Sequence, residues 1–167
     1  GKPSVACGTP EPPAPAAPGV RRGGGPSIAD FAISTVKKGI FWSVSTNGQI
    51  YNTMDDGRHW NNVSNVTGLP ANFDFNTIEA GQEDAETAYV SGRIGNGRGP
   101  QTGSVDTNVP FIWRTHDGGK TWTKIVNGLP SDGAAGSWVN VVREDPDQIG
   151  LLFAGSSISA LGDQFTL

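Results

Sequence analysis

The pattern Ser/Thr-x-Asp-x-Gly-x-x-Trp occurs twice in this chain, as Thr53, Asp55, Gly57 and Trp60 and again as Thr115, Asp117, Gly119 and Trp122, each residue recurring 62 positions on. The likeness extends past the motif. QIYNTMDDGRHWNNV (residues 49–63) lies over PFIWRTHDGGKTWTKI (110–125) without a gap from Ile50 and Ile112 onward, and both copies run into Gly-Leu-Pro, at 68–70 and 128–130. Repetition at a period of several tens of residues marks arrays and propellers, in which one supersecondary unit cannot bury its apolar face alone and stacks on the next. The residue types have a local reason. A carboxylate can accept hydrogen bonds from the N–H groups of its own turn, glycine takes the positive φ that the turn needs, and the indole folds back over the hairpin. Asp55 and Asp117 are therefore expected to clamp equivalent turns in successive units rather than to form a catalytic pair.

Short β-branched and aromatic runs surround the motifs. Residues 28–35, 40–46, 49–54 and 59–64, separated by Gly39, Asn47-Gly48 and Asp56-Gly57, read as an antiparallel four-stranded meander, the size of one propeller blade. Residues 76–80, 87–92, 111–116 and 121–126 repeat the order, and 137–146 with 151–157 begin a third unit around a turn at Asp145-Pro146. The fold class expected is all-β, a partial β-propeller of four-stranded antiparallel blades: two blades plus part of a third. The boundaries are a Pro/Gly-rich tail at 1–26, a blade at 27–67, a second blade at 68–130 with a long loop at 93–109, and an incomplete third blade at 131–167.

Composition supports an all-β chain, with 24 Gly and 12 Pro among 167 residues and no long helical period. Seven of those prolines and six glycines fall in residues 1–26, a composition that cannot offset its ordering entropy and reads as disordered. A net charge of -4 with no basic stripe argues against nucleic acid. No run approaches the length of a membrane span. Cys7 is alone and can close no internal disulfide, and no cofactor or metal site is expected. The Gly1 start and the broken last repeat lead us to expect a piece of a longer chain whose remaining blades would be its partners.

From about Ser27 to Ser157 the chain resembles the sortilin-like, BNR/Asp-box repeat propellers, in particular bacterial secreted proteins of the glycosyl-hydrolase-like kind. Sialidases, xyloglucan-cleaving endoglucanases and photosystem assembly factors share that fold and differ in chemistry. The resemblance implies an extracellular or periplasmic location. It transfers no catalytic residue, because no Arg-Ile-Pro segment occurs here and no stretch aligns with the endoglucanase aspartates.

The loop at 93–109 joins the second and third strands of the second blade. In the family, ligands usually bind on the face shared by that connection and the inter-blade loops. Arg93, Asn96, Arg98, Asp106 and Asn108, with Asp74 and Trp138 from the inter-blade segments, are the candidate ligand-face residues. Amides, an arginine and an aromatic would suit a carbohydrate or an extended peptide. The bland alternative is a solvated loop with Trp138 packed beneath the rim. The glycine run at 92–99 leads into Pro100 and a strand rather than a helix, so it is not read as a phosphate loop. His59 and His116 have no metal-ligand spacing. Trp42, Trp60, Trp113, Trp122 and Trp138 fall on strands, where core and blade-to-blade packing accounts for at least four of them.

Three readings of function follow. The first is a non-catalytic binding or interaction scaffold in an exported bacterial protein. The second is part of a glycoside hydrolase whose carboxylates, among them Asp74, Asp106 or Glu144, face partners outside this chain. The third is a truncated or mis-predicted reading frame with foreign sequence at 1–26 and 158–167.

Overall fold

A computed structural model describes residues 26–69, 73–94, 111–125, 127, 129 and 138–157, with backbone alone at 73, 74, 93, 94, 111, 138, 156 and 157. Ten strands fill these segments: β1 (Ile28–Ile33), β2 (Phe41–Ser45), β3 (Ile50–Thr53), β4 (Asn61–Asn62), β5 (Phe73–Ala80), β6 (Ala88–Ile94), β7 (Phe111–Thr115), β8 (Thr123–Lys124), β9 (Trp138–Glu144) and β10 (Leu152–Ser157). They form three antiparallel sheets, β1-β2-β3-β4, β5-β6-β7-β8 and the pair β9-β10, in which strands consecutive in the chain are neighbours. The chain is an all-β partial propeller.

The repeat is kept at the level of single residue pairs. Ile33 faces Phe41 and Phe41 faces Thr53; in the second sheet Ala80 faces Ala88 and Ala88 faces Thr115; in the third, Glu144 faces Leu152. Each first strand also carries a register shift at the same place, leaving Ala29, Asn76 and Asn140 as the extra residues. A bulge of this kind bends its strand and re-aims a side chain. The outer strands β4 and β8 are shorter than the sequence runs suggest, pairing only at Tyr51–Asn62 with Asn52–Asn61 and at Trp113–Lys124 with Arg114–Thr123. One further bond follows in each, from the Val63 N–H to the Ile50 carbonyl and from the Ile125 N–H to the Ile112 carbonyl, both at 2.9 Å. β5 begins three residues earlier than the apolar run does, because Phe73–Phe75 pair with Gly92–Ile94.

Alternation divides each sheet into two faces. The second face of the first sheet, Ala32, Trp42, Val44 and Ile50, packs on the first face of the second sheet, Phe75, Ile78, Ala80, Ala88, Val90 and Trp113, with Trp122 closing the seam. Trp42 and Trp122 meet edge to face, their ring centroids 6.3 Å apart. A second core joins Tyr89 and Ile112 to Val139 and Val142. Gly119, at φ 87°, lies at the first seam. A Cβ there would come within 2.9 Å of the Val63 side chain, so the seam fixes this glycine as firmly as its turn does.

Four of the five tryptophans can be placed. Trp42, Trp113 and Trp122 are buried, but Trp60, the repeat partner of Trp122, is 43% exposed. The motif is the same and the neighbour differs: no described sheet lies over the first face of β1–β4. Packing thus holds three of the four tryptophans whose side chains are described, and of Trp138 only the backbone is described.

Candidate functional site

The turn motifs are two copies of one hydrogen-bonded device. Thr53 Oγ1 donates to Asp55 Oδ1 at 2.9 Å and accepts from the Gly57 N–H at 3.0 Å; Asp55 Oδ1 also accepts the His59 N–H at 2.9 Å. In the second copy Thr115 Oγ1 donates to Asp117 Oδ1 at 2.8 Å and accepts from Gly119 N–H at 3.0 Å, and Asp117 Oδ1 accepts the Thr121 N–H at 2.9 Å. The remaining oxygen differs, taking His59 Nδ1 in the first turn and Thr121 Oγ1 in the second. The His59 backbone N–H, then its ring, holds the Asp55 carboxyl down to about 2. For Asp117 burial pushes the value up, yet the Thr121 and Thr115 donors outweigh it and leave it at about 2. Both carboxylates are ionised and spent on their own turns, which leaves neither to act as a proton donor near neutral pH.

A second polar assembly, which sequence reading missed, runs along β1, β5 and β9. These are edge strands of their sheets, so one side of each backbone has no strand partner among the described residues. Asp30 Oδ2 accepts from Thr77 Oγ1 at 2.6 Å and takes the edge N–H of Ile78 at 3.0 Å. Arg143 Nη1 donates to Thr77 Oγ1 at 3.0 Å and to the Val142 carbonyl, and lies 3.4 Å from Glu79 Oε2. Burial pushes the Glu79 carboxyl up and Arg143 pulls it back only in part. The bulge residues Asn76 and Asn140 stand side by side, Nδ2 to Oδ1 at 3.4 Å. Thr35 Oγ1 donates to Gln82 Oε1 nearby. Thr35, Glu79, Gln82 and Arg143 open onto a cavity of about 230 Å³. The one advance signal was the repeated first strand itself; the contacts span 47 or more residues and leave no local trace.

Glu144 is not available to a substrate, contrary to the hydrolase reading. It is 5% exposed and accepts from Gln82 N–H at 2.7 Å, Gly150 N–H at 2.8 Å and Tyr89 hydroxyl at 3.2 Å. The carboxylate ties the third sheet to the second. Burial, and next the Glu144 charge, pushes the Tyr89 hydroxyl to about 12, so this donor keeps its proton through the physiological range.

Of the predicted ligand-face residues, Asp74 and Arg93 are Cα partners at one end of the second sheet, and Trp138 holds the corresponding place at the start of β9, paired with Ser157. Asn96, Arg98, Asp106 and Asn108 lie outside the described residues, as does most of the 93–109 loop. Among the described residues Glu83, Asp84 and His116 bring ligand-type atoms within 4.8 Å of one another. Asp84 already accepts the Glu86 and Thr87 N–H groups and the Thr87 hydroxyl, and His116 Nδ1 pairs with the same hydroxyl, so the cluster reads as a hydrogen-bonded turn. No described helix is long and apolar enough to cross a membrane.

No family model matches the chain, and none of the curated proteins matches it. Among solved structures it is similar to YCF48 from Cyanidioschyzon merolae, at 21% identity over 70% of this chain and 30% of that one, with a TM-score of 0.42. YCF48 bound to D1 peptide matches at 16% identity, 72% and 31% coverage and a TM-score of 0.45. A GH74 xyloglucanase from Xanthomonas campestris matches at 15% identity, 84% and 21% coverage and a TM-score of 0.55. That last likeness is one of fold, and it is a propeller fold. The chain spans less than a third of the length of each of these proteins.

Proposed function

We propose that this chain is a stretch of Asp-box propeller that works as a binding scaffold, taking a carbohydrate or an extended peptide along the β1, β5 and β9 edge. The observation that carries this reading is the division of labour among polar residues. The motif carboxylates are consumed by their own turns, whereas Gln82 and Arg143 border an open cavity at the β1, β5 and β9 edge, and Asn76 and Asn140 stand side by side farther along β5 and β9. Planar amides and a guanidinium match sugar hydroxyls or peptide carbonyls in geometry. The strand ends at Asp74, Arg93 and Trp138, with Asn96, Arg98, Asp106 and Asn108 of the adjoining loop, would extend the same surface. The sortilin-like, BNR-type resemblance further supports placing the parent protein in the periplasm or outside a bacterial cell, which fractionation of the native host would test.

Binding of the purified chain to immobilised oligosaccharides and to a library of unstructured peptides tests the proposal and separates the two ligand classes. We expect micromolar binding to members of one class, weakened roughly tenfold by Arg143→Ala or Asn140→Ala, the loss of one good polar contact. Binding to neither class, or binding that ignores both substitutions, would refute the site. Cleavage of β-glucans, xyloglucan or sialosides at enzymatic rates would refute the scaffold and return the glycoside-hydrolase reading.

A further inference from the structure

The two seams inside the chain join the second face of one sheet to the first face of the next, and among the described residues one copy of each face has no sheet over it. On the first sheet, Ile28, Phe31, Ile33 and Trp60 are 68%, 44%, 60% and 43% exposed. Their repeat partners in the second sheet, Phe75, Ile78, Ala80 and Trp122, are no more than 4% exposed, because the first sheet covers them. The open face carries no charge among its described residues. Phe31, Phe41 and Trp60 cluster on it, with ring centroids 5.8 and 6.4 Å apart, and a groove of about 350 Å³ runs past Tyr51 and Trp60. On the third sheet the second face leaves Val141 36% and Phe153 57% exposed, with Arg143 paired beside Phe153 on the same face. By register Phe153 occupies the place of Trp42, the side chain that packs edge to face on Trp122 at the first seam.

We propose that two copies of this chain associate head to tail, the Phe153 face of one seating on the Phe31–Trp60 face of the other. The occupant is specified by the molecule itself. Both halves of the joint are present, second face meets first face twice within each chain though with different side chains, and the aromatic that must meet Trp60 stands in the right row of the right sheet. The contact is heterologous, so the faces left free at the two ends of a pair can recruit further copies until the arc closes. The inference goes beyond the ligand-binding reading and does not depend on it.

Sedimentation and light scattering of the full chain over a range of concentrations provide the test, with Phe31→Asp and Phe153→Asp as variants. Both side chains are exposed in the single chain, so circular dichroism should remain unchanged. We expect concentration-dependent assembly of the parent protein, weakened about thirtyfold or more by either substitution. Mixing the two variants should restore association, limited to a 1:1 pair, because only one intact face remains on each copy. A parent chain that stays monomeric at high micromolar concentration, or a mixture no better than its components, would overturn the proposal and leave the open face to a sheet from another polypeptide or from a longer form of this one. Ligand binding measured on Phe153→Asp alone, because Phe31 itself lines the Thr35–Arg143 cavity, keeps this outcome separate from the fate of the scaffold reading.

Discussion

Asp117 shows what the repeated motif does one side chain at a time. It accepts two backbone or hydroxyl donors from Thr121 and one from Thr115. Asp117→Ala should cost about 1–2 kcal/mol in chemical denaturation, the scale of losing a side chain that satisfies turn N–H groups. The pH dependence has a definite sign. Asp55 and Asp117 are held at about 2, below the ~3.9 of an unfolded aspartate. Their contribution is therefore complete above about pH 4 and is lost as acid drives the pH down through the folded values. Thermal unfolding midpoints taken from pH 7 to pH 2 should fall in that window, and less steeply in the Asp55→Asn/Asp117→Asn double variant. The two motif tryptophans should part company. Trp122→Ala removes a buried indole and should cost about 3–5 kcal/mol, whereas Trp60→Ala, at an exposed position, should cost under about 1 kcal/mol in the monomer. Trp122→Phe should be milder than Trp122→Ala, because the indole N–H has no partner among the described residues and only part of the ring volume is lost.

At the level of strands and sheets, the bulged hairpin is the unit that repeats, and its attachments are what vary. β9-β10 is anchored through Glu144, whose oxygens take two backbone N–H groups and a phenol. Glu144→Ala strands those donors at a buried site and should destabilise the third sheet by about 2–4 kcal/mol. Amide exchange read by mass spectrometry should show β9 and β10 losing protection while β1 to β8 keep theirs; uniform loss across all sheets would refute a local anchor. The sequence made the hairpins legible because their causes are local: Asp-x-Gly spacing, alternation, and the turn residues between. Asp30 on Thr77, Gln82 on Glu144 and Arg143 on Thr77 were illegible, since each joins residues 47 to 66 apart and nothing in either neighbourhood names the other. Trp60 misled for the same reason, its surroundings being set by what lies across the face and not by its own turn. The candidate residues Asn96, Arg98, Asp106 and Asn108 fall outside the described residues, so that part of the proposed surface rests on their position beside Asp74 and Arg93.

Across the whole molecule, three sheets share one pattern and two unlike joints. The first is closed by interlocking indoles, with Trp42 and Trp122 in contact and Asn52 Nδ2 donating to the Gly118 carbonyl at 2.7 Å. The second has a small apolar core and a set of polar ties through Glu144, Arg143 and Ser91. Each joint has a carboxylate tie, Asp30 on Thr77 and Ile78 at the first and Glu144 at the second, but the first adds the larger apolar core, held by dispersion and desolvation. An array built in this way does not flex evenly. Load applied along the stack should concentrate at the second joint, where the apolar core is smaller, which makes the third sheet the natural leaf of a hinge and the first two a single stiff plate.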